Sequence, residues 1–122
     1  MFVRFLMKVQ IKRIYDKASP DDGYRVLVDG IWPRGVAKRD AKIDEWRKEL
    51  APSRSLRQWY GHDQERWSEF RKAYERELAH ADPEAVKTLR QITKKQTLTL
   101  LFAARSTDYN NAVILKAYLE RT

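Results

Sequence analysis

Apolar and polar residues alternate with a period of two near the start of the chain, the pattern of a β-strand with one buried face. The alternating apolar positions are Val3, Phe5, Met7, Val9 and Ile11. They predict a first strand that begins at about Val3 or Met7 and ends at Tyr15. Residues 24–29 and 97–103 are almost continuously apolar, which predicts two further strands that are buried on both faces.

Other segments carry apolar residues at helical spacing, with capping residues at their starts. A first helix is predicted to begin at the cap Asp40, to carry Ile43, Trp46 and Leu50 on one face, and to end at Pro52. A short second helix is capped by Ser53 or Ser55, carries Leu56 and Trp59, and ends near Gly61. A long third helix runs from Asp63 through Trp67, Phe70, Tyr74 and Leu78. A fourth is capped by Asp82 before Pro83, and a fifth is capped by Asp108.

This order of strands and helices predicts an α/β fold. We expect residues 1–122 to form one compact domain, with a small, mostly parallel sheet and helices on both of its faces. Residues 1–6 extend the alternation of the first strand, although Met7 also offers a shorter translational start.

The amino-acid composition excludes several classes of functional site. The 122 residues include no Cys, which excludes disulfides, Cys-ligated zinc, iron–sulfur clusters and Cys nucleophiles. The two His residues show no metal-ligand spacing, and no Gly-rich phosphate-binding motif is present, so neither a metal nor a cofactor is predicted. No apolar run approaches the roughly 20 residues of a transmembrane helix, so we expect a cytoplasmic protein that does not enter membranes.

The formal net charge of +8 points to an anionic partner. One interpretation is a small anionic molecule, possibly one that carries a phosphate. The alternative is nucleic acid, in which lysines and arginines contact the phosphates and aromatic rings stack on the bases. Most aromatic residues fall on positions that point inward, which favours the small molecule. The oligomeric state cannot be read from the chain.

Ligands of open parallel sheets bind outside the carboxyl ends of the strands, where the connections diverge. Those ends bring Asp29, Arg34, Arg105 and Arg13 toward one rim, and the helix after residue 105 would add its N-terminus. We expect Arg13, Arg34 and Arg105 to bind the anion. Asp29 would orient Arg34 or act as a base. In the alternative, the rigid loop of residues 32–35 is purely structural and Arg34 pairs with Asp29.

Three further residues are candidates for the same rim. His62 could transfer protons, because its ordinary pKa is close to neutral. Ser106 and Asn110 could bind an anion near the last helix. Each has a structural alternative, in which His62 lies in a surface capping loop and Ser106 and Asn110 satisfy the loop and helix N-terminus. No recognisable nucleophile motif surrounds Ser106, and the sequence specifies no reaction.

An ordered set of motifs resembles the YeaO-like proteins, small bacterial and archaeal proteins grouped as a domain of unknown function. The matching segments are residues 12–16, 23–29, 32–35, 50–53 and 99–102, together with the helix that carries Phe70, Arg71, Tyr74, Glu77 and Leu78. The resemblance covers nearly the whole chain from Met7 to Leu119. It implies a single α/β domain and implies no established reaction.

One position departs from that family. Where the family usually has an arginine before the Leu-Trp-Pro-Arg-Gly stretch, this chain has Gly30. If the family's arginine contacts a ligand, this protein should bind more weakly or bind something else. If the arginine only pairs with Asp29, Gly30 merely loosens the loop. The resulting hypotheses are a small enzyme or binding domain for an anionic molecule, a nucleic-acid-binding accessory protein, and a structural or partner-binding domain without catalysis.

Overall fold

The computed structural model describes residues 8–121. Its strands and helices follow one another in the order β1 (Val9–Arg13), β2 (Tyr24–Leu27), α1 (Lys38–Ala41), β3 (Glu45–Trp46), α2 (Arg54–Tyr60), α3 (Trp67–Ala79), α4 (Pro83–Ile92), β4 (Leu98–Phe102) and α5 (Asn111–Glu120). Short 3-10 turns occupy Pro20–Asp22, Lys48–Leu50 and Gln64–Arg66. The predicted extension over residues 1–6, and a strand start at Val3 or Met7, lie outside the described residues.

The four strands form one parallel sheet in the spatial order β1-β4-β2-β3. The apolar β4 lies between β1 and β2, so that Leu98 pairs with Val9 on one side and Tyr24 on the other. Neighbouring strands pair with both of its edges and apolar side chains cover both of its faces, so all five of its residues are buried. The predicted α/β fold with a parallel sheet is therefore confirmed.

Side chains alternate between two cores on opposite sides of the sheet. On the first face, Val26 and Leu100 pack among apolar residues of α3, α4 and α5. On the second face, Leu27 and Leu101 pack with Ala41 of α1 and with residues of the loop and strand that surround it. Helices thus lie on both faces, as predicted, although the cover on the second face is much thinner.

The second face also contains a buried ionic network. Asp22 accepts hydrogen bonds from Lys12 Nζ at 3.0 and 3.2 Å and from Arg25 Nη1 at 2.5 Å. The Arg25 guanidinium continues to the carbonyl oxygens of Lys42 and Ala41, at 2.8 and 2.9 Å. The network therefore ties β1, β2 and α1 together around one carboxylate.

The last four helices occur where they were predicted. Ser53 and Asp82 accept hydrogen bonds at the N-termini of α2 and α4, and Gly61 ends α2 in a left-handed conformation. Asp63 caps a 3-10 turn that leads directly into α3. The predicted cap Asp108 is wrong, because the Asn110 side chain accepts the hydrogen bond of Val113 N and α5 begins at Asn111.

The helix predicted from Asp40 to Pro52 is also wrong. Helix α1 ends after four residues at Lys42, whose φ of 50° is left-handed, and the chain then forms β3 and a 3-10 turn. The spacing of Ile43, Trp46 and Leu50 resembles one helix face, but the three residues do not share a face. Ile43 and Trp46 pack against the core on the second face, whereas Leu50 belongs to the core on the first face. The three side chains serve two different cores rather than one helix stripe.

Within residues 8–121, no helix combines the length and the apolar character that crossing a bilayer would require.

Candidate functional site

A cleft of about 820 Å³ opens at the carboxyl ends of β2 and β4. The chain leaves β2 toward α1 on the second face, and leaves β4 toward α5 on the first face. Because these neighbouring strands continue to opposite faces, their ends form the crevice in which open α/β sheets bind ligands. The volume falls within the range of about 300–1,000 Å³ that is typical of small-molecule sites.

Six of the seven residues predicted from the sequence line this cleft: Asp29, Arg34, His62, Arg105, Ser106 and Asn110. Arg13 is the exception. Its guanidinium donates hydrogen bonds to the carbonyl oxygens of Ala104 at 2.9 Å and Ala103 at 3.3 Å, and lies 5.0 Å from the centre of the Tyr15 ring. Arg13 therefore holds the end of β4 in place, which argues against the predicted role in binding.

Asp29 lies at the base of the cleft, directly after β2. Its Oδ2 accepts a hydrogen bond from Ala103 N at 2.9 Å, and its backbone carbonyl accepts one from Trp46 Nε1 at 2.7 Å. Burial raises the pKa of Asp29, although the Ala103 N–H and the charge of Arg57 act in the opposite direction. The carboxyl group can accept a hydrogen bond from a ligand or, when protonated, donate one.

The cations of the cleft are Arg34, Arg57 and Arg105. Arg34 and Arg105 are exposed and Arg57 is half-buried. The hydrogen bonds and ion pairs among residues 8–121 include none from these three guanidinium groups. In particular Arg34 does not pair with Asp29, so the expectation that Asp29 orients Arg34 is wrong. The cleft therefore contains three forked donors that have no acceptor within residues 8–121.

The loop of residues 32–35 is fixed on one side and presents its cation on the other. Trp32 donates from Nε1 to the carbonyl of Val36 at 2.7 Å and packs edge-on against Trp46, with ring centres 5.4 Å apart. Gly35 turns the chain with a φ of 79°. Tyr15 then donates from its hydroxyl to the Arg34 carbonyl at 2.9 Å. The loop therefore has a structural side at Trp32 and leaves the Arg34 side chain exposed.

In the loop before α5, Ser106 and Asn110 form hydrogen bonds mainly with the loop itself and with the start of the helix. Ser106 Oγ accepts from the N–H of Tyr109 at 3.0 Å and, more weakly, from that of Asp108 at 3.3 Å. Asn110 is buried; it accepts from Val113 N and donates from Nδ2 to the Ser106 carbonyl at 2.9 Å. Both residues line the cleft and shape it, while Ser106 keeps one hydroxyl hydrogen with which to donate to a ligand.

His62 stands at the mouth of the cleft in an unusual backbone conformation. It has a φ of 59° and follows Gly61, whose φ is 52°. A side chain in the left-handed region costs roughly 1–2 kcal/mol. The imidazole lies beside the Tyr60 ring, with centres 6.3 Å apart, and is exposed. Strain of this kind is concentrated at functional sites, and here it turns the imidazole toward the cleft.

Arg57 was missed by the sequence analysis. It lies in α2, where the pattern singles out only the apolar Leu56 and Trp59, and nothing in the local sequence indicates that α2 approaches the Asp29 loop. No group of His, Asp and Glu suited to holding a metal ion occurs among the described residues.

The chain is similar in sequence to known proteins. The family described as "Inactive DUF488-N3 subclade" matches residues 8–122. The chain belongs to this family. It is 46% identical over 113 residues to "Uncharacterized protein YeaO" of Escherichia coli (strain K12), which covers 93% of this chain and 97% of that protein. This similarity confirms the resemblance to YeaO-like proteins.

A second relative is more distant. "Uncharacterized protein Rv3073c" of Mycobacterium tuberculosis (strain ATCC 25618 / H37Rv) is 41% identical over 112 residues, which are 92% of this chain and 93% of that protein. The DUF488-N3 match and both relatives thus cover the whole fold, including the cleft. No solved structure matches the chain.

Proposed function

We propose that this protein binds a small organic anion, of the phosphate or carboxylate class, in the cleft at the strand carboxyl ends. The observation that carries the proposal is the set of three guanidinium groups without acceptors, Arg34, Arg57 and Arg105, around one concave surface. Arginines elsewhere, such as Arg25 and Arg90, donate to backbone carbonyls within the fold. A bound anion would supply acceptors for the cleft arginines, which donate to none within residues 8–121.

The walls of the cleft favour an anion with an attached apolar or aromatic group. Its lining includes the rings of Tyr15, Trp32, Tyr60, Phe70 and Tyr109. Tyr60 and Phe70 stack at 4.2 Å and form a rigid apolar floor, which would contact the flat part of such a ligand. Asp29 would accept a hydrogen bond from a donor group on the ligand, and Ser106 would donate one to the anion.

We propose binding without a chemical step. The word "inactive" in the description of the matching family agrees with this interpretation. The hydroxyl of Ser106 is placed by bonds to its own loop, and its described hydrogen bonds include none to a basic side chain. Asp29 and His62, predicted from the sequence as catalytic groups, then serve as ligand contacts.

The test compares phenyl phosphate, inorganic phosphate and phenol as ligands, by thermal shift and isothermal titration calorimetry. We expect phenyl phosphate to raise the melting temperature more than either fragment, because only it addresses both the guanidinium groups and the aromatic walls. Arg34→Gln and Arg105→Gln should each weaken binding about tenfold, since a charge-assisted hydrogen bond contributes about 1.5–3 kcal/mol. The exposed Arg39, in α1 and outside the cleft, supplies the control Arg39→Gln.

Two results would contradict the proposal: no stabilisation by any of the three compounds, or equal affinity in the Arg34, Arg105 and Arg39 variants. A single-stranded oligonucleotide is titrated in parallel. Binding of the oligonucleotide that weakens steeply with salt and ignores the cleft variants would support the nucleic-acid alternative instead.

A further inference from the structure

Gly30 and Arg57 form a close contact at the edge of the cleft. A Cβ atom added to Gly30 would lie 3.2 Å from Arg57 Nη1 and 3.5 Å from Ala51 Cβ. The φ of Gly30 is outside the left-handed region, unlike those of Gly23, Gly35 and Gly61. Backbone conformation therefore does not explain this glycine. Its lack of a side chain provides the space in which the Arg57 guanidinium lies.

Arg57 also lies where two clefts meet. A second cleft, of about 770 Å³, adjoins the first, and the two share Gly30, Ile31, Pro52 and Arg57. The second cleft is lined by the apolar Leu78 and Ala81, the basic Lys48 and Arg54, and the acidic Glu49 and Glu77. A group bound to Arg57 can therefore extend from one cleft into the other.

The backbone that carries Arg57 is firmly positioned. Ser53, the cap of α2, is held by Glu77 of α3 through bonds of 2.7 Å from its N–H and 2.5 Å from its hydroxyl. Arg57 N then donates to the Ser53 carbonyl at 2.9 Å, and the Arg57 carbonyl accepts from Gly61 at 3.1 Å. The guanidinium is thus a half-buried charge on a fixed base, with Asp29 as its acidic neighbour.

We propose that Arg57, seated against Gly30, anchors the charged group of a ligand that extends into both clefts, as the phosphate of a diester would. The inference rests on the proposed function and deepens it by naming the anchoring residue and the substitution pattern of the ligand. Arg34 and Arg105 reach this group from the first cleft only, whereas Arg57 lies on its path into the second.

The experiment measures the affinities of phenyl phosphate and diphenyl phosphate for the wild type and for Arg57→Gln, Gly30→Ala and the control Arg39→Gln. The wild type should prefer diphenyl phosphate at least fivefold, although the diester carries less charge. Arg57→Gln should weaken binding of the diester at least tenfold. Gly30→Ala should weaken it severalfold, because the added methyl group displaces the guanidinium.

A measurement without ligand keeps the inference testable if a variant binds poorly for another reason. The charge of Arg57 lowers the pKa of Asp29. Arg57→Gln should therefore raise the pKa of Asp29 in a carbon-13 NMR titration, whereas Arg39→Gln should not. An unchanged Asp29 titration would overturn the placement of Arg57.

The outcomes distinguish this inference from the proposed function. A wild type that prefers the monoester, or an Arg57→Gln variant that binds like Arg39→Gln, would overturn the inference and leave the anion site in place. If neither ester binds the wild type, the anion site itself is wrong, and the role of Arg57 is wrong with it.

Discussion

Replacement of Asp22 by alanine should destabilise the fold more than any change in the cleft. This carboxylate accepts from Lys12 and Arg25, and also from the N–H of Ser19 at 3.0 Å. The Arg25 side chain is only 7% exposed, whereas that of Lys12 is 21% exposed. Without Asp22, Lys12 can turn toward water, but the charge of Arg25 remains buried without its counter-ion.

The size of the effect follows from this difference. Removing one partner of a buried ion pair costs about 3–5 kcal/mol. Arg25 keeps its bonds to the carbonyls of Lys42 and Ala41, so we expect the lower part of this range, about 3–4 kcal/mol. For a chain of this length that corresponds to a loss of roughly 10–20 °C in melting temperature. Asp22→Asn keeps an acceptor oxygen and should lose about half as much, roughly 1.5–2 kcal/mol.

Urea unfolding followed by circular dichroism and tryptophan fluorescence measures these losses, and Asp21→Ala is the matched control. Asp21 is exposed, and its carboxylate accepts none of the hydrogen bonds and forms none of the ion pairs found among residues 8–121. An Asp22→Ala variant whose unfolding midpoint stays within the error of Asp21→Ala would refute the reasoning, because the network would then contribute nothing to stability.

The pH dependence gives an independent check. Burial alone would raise the pKa of Asp22, but hydrogen bonds from Ser19, Lys12 and Arg25 outweigh it and lower the pKa below its ordinary value. In the folded protein, the Asp22 carboxyl group thus stays ionised at pH values where the same group takes up a proton in the unfolded chain. This stabilisation is complete above the ordinary pKa of about 4 and is lost as pH falls through the lowered value. The wild type and Asp22→Asn should therefore converge in stability below about pH 4.

Three further predictions concern the backbone and the site. His62→Gly should raise the free energy of unfolding by about 0.5–1 kcal/mol, because it relieves the left-handed strain, and should weaken the binding of phenyl phosphate. Lys42→Gly, at a φ of 50°, should also stabilise the fold but should leave the affinity for phenyl phosphate unchanged. Gly23→Ala should unfold the protein at much lower urea than Gly35→Ala, because its Cβ would lie 2.2 Å from the Thr97 carbonyl oxygen whereas nothing lies within 4 Å at Gly35. Asn110→Ala should lower the unfolding free energy by about 1–2 kcal/mol in urea, through loss of the α5 cap. Equal stabilities of the Gly23→Ala and Gly35→Ala variants, equal phenyl phosphate affinities of the His62→Gly and Lys42→Gly variants, or an Asn110→Ala variant as stable as the wild type would contradict these accounts.

The parts of the fold that could be predicted are those in which local pattern and tertiary environment agree. The apolar β4 is buried on both faces, and α4 begins at its Asp-Pro signal. The pattern failed after α1, where Ile43 and Leu50 have helical spacing but belong to opposite cores. Periodicity records which residues are buried, and it cannot show which side of a sheet buries them.

The cleft was predictable to the extent that it depends on strand ends. Asp29, Arg34 and Arg105 follow β2 and β4, and topology brings those ends together. Arg13 is the last residue of the outer strand β1, and its guanidinium donates to the carbonyls of Ala103 and Ala104, directly after β4. Arg57 could not be predicted, because its position depends on how α2 packs against α3 and on the space left by Gly30.

The cleft arginines differ in pairing from three arginines that stabilise the fold. Arg13, Arg25 and Arg90 each donate to two or more acceptors within the chain, which is how a long cationic side chain stabilises a fold. Arg34 and Arg57 line the cleft, and the hydrogen bonds of residues 8–121 include none from their guanidinium groups. Gathering three positive charges, those of Arg34, Arg57 and Arg105, in one cleft has an electrostatic cost. An anion in the cleft would remove that cost, so ligand binding should stabilise this protein most at low salt, where repulsion between the guanidinium groups is least screened.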